Sequence, residues 1–288
     1  MIKTAKNDQG KGFNMEEWIA DQKEQKPVVL LIDDNEEILD YLAGDLKSRY
    51  TVLTAHDGAE ALQVLETAFV QLIISDVMMP HIDGFAFCER IKSSLEFNHI
   101  PLILLTAKDT LQSKIQGLKT GADAYIEKPF SLEHLYVQME NLLEGRARLK
   151  DFYARSPLAH INSMAYSKMD QDFLENLHGH IIRNLEDTDL DVEKPALLMN
   201  VSRPTLYRKI KSLSGLAPHD IINLTRLKKA AILINEGNLR INEVAGLVGY
   251  NSPSQFKRNF LKQFKISPAA YIDKVTAAFN RRQEDGMH

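Results

Sequence analysis

The stretch Leu72–Phe85, LIISDVMMPHIDGF, decides the fold. Its apolar start stops at Asp76, and Pro80, Asp83 and Gly84 punctuate a turn ahead of a helix-like run. A short apolar run bounded by turn residues fits a strand buried on both faces. The same unit recurs on either side. Val28–Ile32 stops at Asp33 and Asp34, Val52–Ala55 precedes another turn, Leu102–Leu105 stops at Thr106, and Ala124–Ile126 leads to Lys128. Between these runs the apolar residues have helical spacing: Ile38, Leu39, Leu42 and Leu46; Ala61, Leu62 and Leu65; Phe87, Ile91 and Leu95. Five strand–helix repeats predict a doubly wound parallel sheet with helices on both faces. In such sheets function collects at the carboxyl ends of the strands, near a topological switch point.

The residues at those ends have a common chemistry. Asp33, Asp34 and Asp76 would share one edge with Thr106 and Lys128. Three carboxylates in a small volume repel one another and call for a cation. Hard oxygen ligands with room for water suit Mg2+. A lysine and a threonine beside them complete a phosphate-binding pocket. The set points to phosphoryl transfer onto a carboxylate, with an aspartate as nucleophile and the cations neutralising developing charge. Any one of these acids alone reads equally well as a helix cap or turn residue; their coincidence at strand ends separates the two readings.

Residues 27–147 resemble the receiver domain of response regulators. The matching strings are VLLIDDNEEI, LIISDVMMPHIDGF, IPLILLTAKD and GADAYIEKPF, in order along the chain. The resemblance implies a flavodoxin-like five-stranded parallel sheet of order 2-1-3-4-5. It implies that Asp76 accepts a phosphoryl group from a histidine kinase, and that Asp33, Asp34, Asp76 and the Met78 backbone carbonyl hold Mg2+. Thr106 and Lys128 would bind phosphoryl oxygens, and Tyr125 would be an aromatic switch that turns inward when Thr106 moves toward the phosphate. A cis Lys128–Pro129 bond is implied as well; an X-Pro bond lowers the penalty for it.

Length and composition bound the rest. The 288 residues include 35 basic and 39 acidic side chains, a net charge of −4, with 44% hydrophobic and 26% charged content. That is globular composition, and the length suggests about two domains. No apolar run reaches the ~20 residues that cross a bilayer. The lysines at 3, 6 and 11 have no apolar core after them, so no secretory signal is expected. A single cysteine, Cys88, excludes a disulfide framework and a cysteine metal cluster, and a reducing cytoplasm is the expected compartment. Cys88 shares an apolar helix face with Phe87 and Ile91 and reads as core. His178 and His180 are two apart, on different helix faces, and read as surface or packing residues.

The net charge hides a gradient. Residues 27–150 hold 11 basic and 19 acidic side chains, whereas residues 195–288 hold 15 and 6. The basic third also contains a duplication at an offset of 50: Glu193/Glu243, Ser202/Ser252, Leu206/Phe256, Arg208/Arg258, Ile210/Phe260 and Pro218/Pro268. Each half reads as helix, turn, helix, with the serine as N-cap of the second helix. The expected organisation is a polar tail or linker over 1–26, the first domain over 27–147, a linker over 148–169 that is helical at its start, an all-α domain over 170–275, and a tail over 276–288.

Residues 170–275 resemble an AraC-type DNA-binding domain with two helix-turn-helix units. The strings are MNVSRPTLYRKIKSLSGLAPHDII, RLKKAAILI and INEVAGLVGYNSPSQFKRNFLKQFKISPAAYI. The first recognition helix would run from about Arg203 to Leu213, with Arg203, Pro204, Thr205, Tyr207, Arg208 and Lys211 outward. The second would run from Pro253 to Phe264, with Pro253, Ser254, Gln255, Lys257, Arg258 and Lys262 outward. The resemblance assigns base edges chiefly to Pro204, Tyr207, Arg208, Pro253, Ser254 and Arg258; lysines suit phosphates. A middle helix, about Asp220–Asn235 and roughly 22 Å long, would space the two units along one face of the duplex. One departure is Lys265, where the family usually has glycine. A non-glycine residue in a left-handed cap costs about 1 kcal/mol, so this turn is expected to differ.

The two resemblances together imply a phosphorylation-dependent transcription regulator rather than an enzyme, partnered by a histidine kinase and promoter DNA, dimeric when phosphorylated. A related reading is the cytoplasmic end of a hybrid sensor kinase controlling carbohydrate-use genes. A different class, an Mg2+-dependent phosphohydrolase working through an aspartyl-phosphate, is permitted by the Asp–Lys set. Met78, two residues after Asp76, is not the second acid such an enzyme would use.

Overall fold

A computed structural model describes residues 26–107, 120–187, 190, 193–237 and 239–285. The chain begins with β1 (Val28–Ile32), α1 (Glu36–Leu46), β2 (Thr51–Ala55), α2 (Gly58–Thr67), β3 (Leu72–Asp76), α3 (Gly84–Ser93), β4 (Leu102–Ala107) and β5 (Ala124–Lys128). The strands form one parallel sheet in the order β2-β1-β3-β4-β5, as expected from the sequence. Alternation along β1 shows why both faces are covered. Val29 and Leu31 point into a core with Leu39, Leu42, Leu135 and Met139. Leu30 and Ile32 point into the opposite core with Leu65, Phe87, Cys88 and Ile91. Cys88 is fully buried, as read from its helix face. Burial also raises the pKa of its thiol.

The helices follow: α4 (Leu132–Arg155), a 3-10 turn (Ile161–Met164), α5 (Lys168–Arg183), α6 (Glu193–Leu198), α7 (Arg203–Ser214), α8 (Pro218–Glu236), α9 (Ile241–Leu247), α10 (Pro253–Phe264) and α11 (Pro268–Asp285). Helix α4 is 24 residues, about 36 Å at 1.5 Å per residue. Ser131 caps its start by accepting from the His134 N–H. Its last turn, within the expected 148–169 linker, packs against the helices that follow. Tyr153, Ile161 and Met164 lie buried among residues of α5, α7 and α8. These apolar groups follow no single period, so the sequence presents them as a connection. The expected tail from 276 is helical through Asp285 as the continuation of α11. The expected tail over 1–25 lies outside the described residues.

Helix α8 is the hub. It buries Ile221, Leu224, Leu227, Ala230, Ala231 and Ile234. The pairs α6–α7 and α9–α10 flank it, which is the tandem arrangement the duplication predicts. Both second helices start as expected: Ser202 accepts from the Thr205 N–H and Ser252 from the Gln255 N–H. They also end alike. Gly215 caps α7 at φ 76° and Lys265 caps α10 at φ 58°. The expectation of a different turn at Lys265 is therefore corrected. The backbone keeps the left-handed cap, and the side chain bears the steric cost that glycine avoids. Among the described residues, no helix is long and apolar enough to cross a membrane.

Candidate functional site

Parallel strands put their carboxyl ends on one rim. Asp76 is the last residue of β3, Lys128 the last of β5, and Asp33 and Asp34 follow β1 directly. β1 and β3 flank the point where the strand order reverses, the usual place for a ligand crevice. Asp33 and Asp76 are buried while Asp34 is exposed. One oxygen from each of the three carboxylates falls within 4.8 Å of the others. Lys128 Nζ reaches Asp76 Oδ1 at 2.8 Å and Asp33 Oδ2 at 3.0 Å. The Met78 N–H donates to the second Asp76 oxygen, Oδ2, at 3.1 Å, and the Asn35 N–H donates to Asp33 Oδ1 at 3.0 Å. Burial works against the Lys128 charge, but its hydrogen bonds and its attraction to Asp76 and Asp33 outweigh that, so its pKa is raised. The lysine stays charged and offsets only part of the carboxylate repulsion. An all-oxygen donor set with an exposed member open to water fits a hard divalent cation such as Mg2+.

The remaining predicted residues stand in different relations to this rim, Tyr125 lying toward the amino end of β5. Thr106 is half-buried in β4, and its hydroxyl donates to the Ala107 carbonyl. Tyr125 pairs with Leu104 in the sheet register, and its hydroxyl shares a 3.1 Å hydrogen bond with Thr120. Burial raises the Tyr125 pKa. Met78 exposes its side chain. The Lys128–Pro129 bond is cis.

The helical part offers a second candidate surface. On α10, Ser254, Gln255, Lys257 and Arg258 are exposed, while Pro253 and Lys262 are half-buried. Phe256 and Phe260 turn inward. On α7, Arg203, Pro204 and Tyr207 are exposed and Thr205, Arg208 and Lys211 half-buried, above Leu206 and Ile210. Two capped helices that both pack on α8 thus present basic and polar residues to solvent.

The response regulator receiver domain family matches residues 29–140, and the helix-turn-helix domain family matches residues 196–274. The chain joins a response-regulator receiver domain to an AraC-type helix-turn-helix domain. A curated relative, Histidine kinase P4 of Formosa agariphila, is 32% identical over 257 residues, 89% of this chain and 19% of that protein. Response regulator MprA of Mycobacterium ulcerans is 36% identical over 145 residues, 50% of this chain and 60% of that protein. This chain therefore spans less than two thirds of either relative. The solved signal receiver domain of a signal transduction histidine kinase from Syntrophus aciditrophicus is 32% identical, with a TM-score of 0.40; 41% of this chain and 91% of that one are covered.

The receiver and the helix-turn-helix domain meet through residues that the sequence did not single out. Lys209 sits between two outward positions, yet it is fully buried and pairs with Asp170 at 2.5 Å. Asn98, from the loop between α3 and β4 of the receiver, completes the cluster. Its Nδ2 donates to Ser167 Oγ at 2.8 Å and to Asp170 Oδ1 at 3.2 Å, and its Oδ1 accepts from Lys209. Burial lowers the Lys209 pKa and Asp170 opposes that. Next to this cluster, Arg208 pairs with receiver Glu96 at 2.7 Å and donates to the Glu66 carbonyl at 3.0 Å. Thr205 donates to the other Glu96 oxygen at 3.3 Å. The one signal available in sequence was the Ser167-x-x-Asp170 spacing, which marks a helix cap: Ser167 does accept from the Asp170 N–H. The pairing of Asp170 with Lys209 spans 39 residues, and no local pattern encodes it.

Proposed function

We propose that this protein is a phosphorylation-controlled transcription regulator. Asp76 accepts one phosphoryl group from a histidine kinase, and the two helix-turn-helix units bind promoter DNA. The observation that carries the reading is the buried Asp76 carboxylate, tied to Lys128 and within ligand reach of Asp33 and Asp34. Asp33, Asp34, Asp76 and the Met78 carbonyl would hold Mg2+, which when bound offsets the charge of the entering phosphoryl group. Asp76 attacks phosphorus, the bond to the donor imidazole breaks, and an acyl phosphate remains on Asp76. Lys128 exchanges part of its carboxylate pairing for a phosphoryl oxygen, and the Thr106 hydroxyl supplies a second donor. Phosphorylation adds about −1.5 to −2 charge and new acceptor oxygens. Thr106 moves toward them, and Tyr125 leaves its Thr120 bond to fill the space. The repacked β4–β5 face then favours a homodimer on DNA.

Arg208 and Arg258 suit guanine edges, and Pro204, Tyr207, Pro253 and Ser254 lie beside them for further base contact. Arg203, Thr205, Lys211, Gln255, Lys257 and Lys262 suit phosphates or flanking contacts. Intact-mass measurement with a small-molecule phosphodonor tests the acceptor. One phosphoryl group is expected on the wild-type chain with Mg2+, and none after chelation or in Asp76→Asn. Equal uptake by Asp76→Asn would overturn the assignment.

A second reading places the same two domains in a hybrid kinase that controls carbohydrate-use genes. The 32% identity to Histidine kinase P4, which runs across both domains, favours it. The genomic reading frame upstream of residue 1 separates the two: a continuous frame encoding a kinase supports the hybrid.

A further inference from the structure

The duplication supplies an internal control for how the two recognition helices stand. Thr205 and Arg208 on α7 occupy the positions of Gln255 and Arg258 on α10, 50 residues later. Gln255 and Arg258 are exposed to solvent. Thr205 and Arg208 are instead engaged by the receiver: Thr205 donates to Glu96, Arg208 forms an ion pair with it, and Arg208 also donates to the Glu66 carbonyl. The next duplicate pair differs in the same sense. Asn259 turns to Tyr250 within its own unit, whereas Lys209 reaches Asn98 of the receiver. We propose that Glu96 and Asn98 hold the first recognition helix away from DNA, so that this conformation can present only α10 to a major groove.

The inference rests on the DNA-binding reading above and adds its regulation. The Arg208 terminal nitrogens face the Glu66 carbonyl and Glu96, so turning the guanidinium fork toward guanine requires breaking both contacts. Glu96 also sets a negative charge against α7, which repels a sugar–phosphate backbone approaching that face. Asn98 makes the contact specific. Its amide matches a donor and an acceptor in one buried cluster, so withdrawing it leaves Lys209 and Asp170 to recover water together.

The contact lies at the amino ends of the strands, across the sheet from Asp76. Cationic side chains tie the contact loop to the receiver. Lys92 bonds the Ile100 carbonyl at 2.8 Å and Asp123 at 2.5 Å, and Arg146 of α4 bonds the His99 carbonyl and Asp123. Asp123 also accepts from the Leu102 N–H at the start of β4. Thr106, near the carboxyl end of β4, and Tyr125, near the start of β5, thus stand on the two strands next to this anchored loop, which gives a rearrangement at Asp76 a route to Glu96 and Asn98.

The test uses the full chain as wild type, Glu96→Gln, Asn98→Ala and the double variant, without phosphodonor. Reaction of arginine side chains with a dicarbonyl reagent, followed peptide by peptide, reads access without DNA. Arg208 should react several-fold more slowly than Arg258 in the wild type, and the two should converge in the double variant. Arg258 reactivity also reports whether each variant is folded. The second readout is affinity for a duplex of about 40 base pairs, selected by the phosphodonor-treated wild-type chain from a randomised pool and long enough for two units one turn apart. Affinity should rise about tenfold in the double variant, and the footprint should lengthen by about one turn. Equal Arg208 and Arg258 reactivity in the wild type overturns the inference. So does unchanged affinity once Arg208 is freed. Failure of the phosphodonor-treated chain to select any duplex removes the DNA-binding reading itself, a result distinct from both.

Discussion

Lys265 holds a backbone conformation that its duplicate leaves to glycine. At φ 58° its Cβ crowds the following carbonyl, a cost of about 1 kcal/mol. Glycine would remove that strain but widen the unfolded ensemble. Lys265→Gly should therefore stabilise by a net ~0.5 kcal/mol and raise the melting temperature slightly; a lowered melting temperature would show that the lysine is compensated by its contacts. On the DNA-binding reading, the exposed residues of α10 should separate by function at this scale. Arg258→Ala should cost ~1–3 kcal/mol on the preferred duplex and relax the preference at one base, while Lys257→Ala should weaken all duplexes alike and lower the salt slope by about 1. Competition binding at two salt concentrations checks both. The outward position of Arg258 was legible because two independent units carry the same residue. Lys209 was not, because a lysine beside two outward positions reads as solvated until its partners, Asp170 and Asn98, are known.

At the scale of elements, the junction of β3 and α3 is the tightest place near the site. A Cβ at Gly84 would lie 2.2 Å from the Asp76 carbonyl oxygen and 2.8 Å from the Val77 Cα. Both neighbours are backbone and cannot swing aside. Gly84→Ala should displace the end of β3, slow phosphoryl uptake, and cost about 1–3 kcal/mol. Gly44 provides the contrast: it lies in α1 with nothing within 4 Å of a Cβ, and Gly44→Ala should stabilise by ~0.5–1 kcal/mol. Uptake rate and thermal unfolding of the two variants check the pair. The strands and recognition helices were legible because each has its own signal: an apolar run ending at a polar residue, or a capping serine with an apolar stripe. The 148–169 segment lacked one. Its buried residues Tyr153, Ile161 and Met164 acquire meaning only against helices that follow them in sequence, and Gln263 of α10 donates to the Ala154 carbonyl across 109 residues.

For the whole molecule, net charge was the least informative composition number and its distribution among the most informative. The acidic residues gather around a candidate cation site and in the receiver. The basic ones gather on helices suited to phosphates. Their complementarity has a definite address in the Glu96–Arg208 pair, which neither the gradient nor any motif could reveal, because it joins two domains over 112 positions of sequence. Polar pairs across domains leave no periodic trace, whereas cores do. If the proposed function holds, chemistry at Asp76 controls DNA binding by the helix-turn-helix domain. The most direct measurement is the affinity of the full chain for its selected duplex, with and without phosphodonor and Mg2+, wild type beside Asp76→Asn, at two salt concentrations. Phosphodonor should tighten binding in the wild type and leave Asp76→Asn unchanged. An equal response of the two proteins, or no response in the wild type, would contradict it.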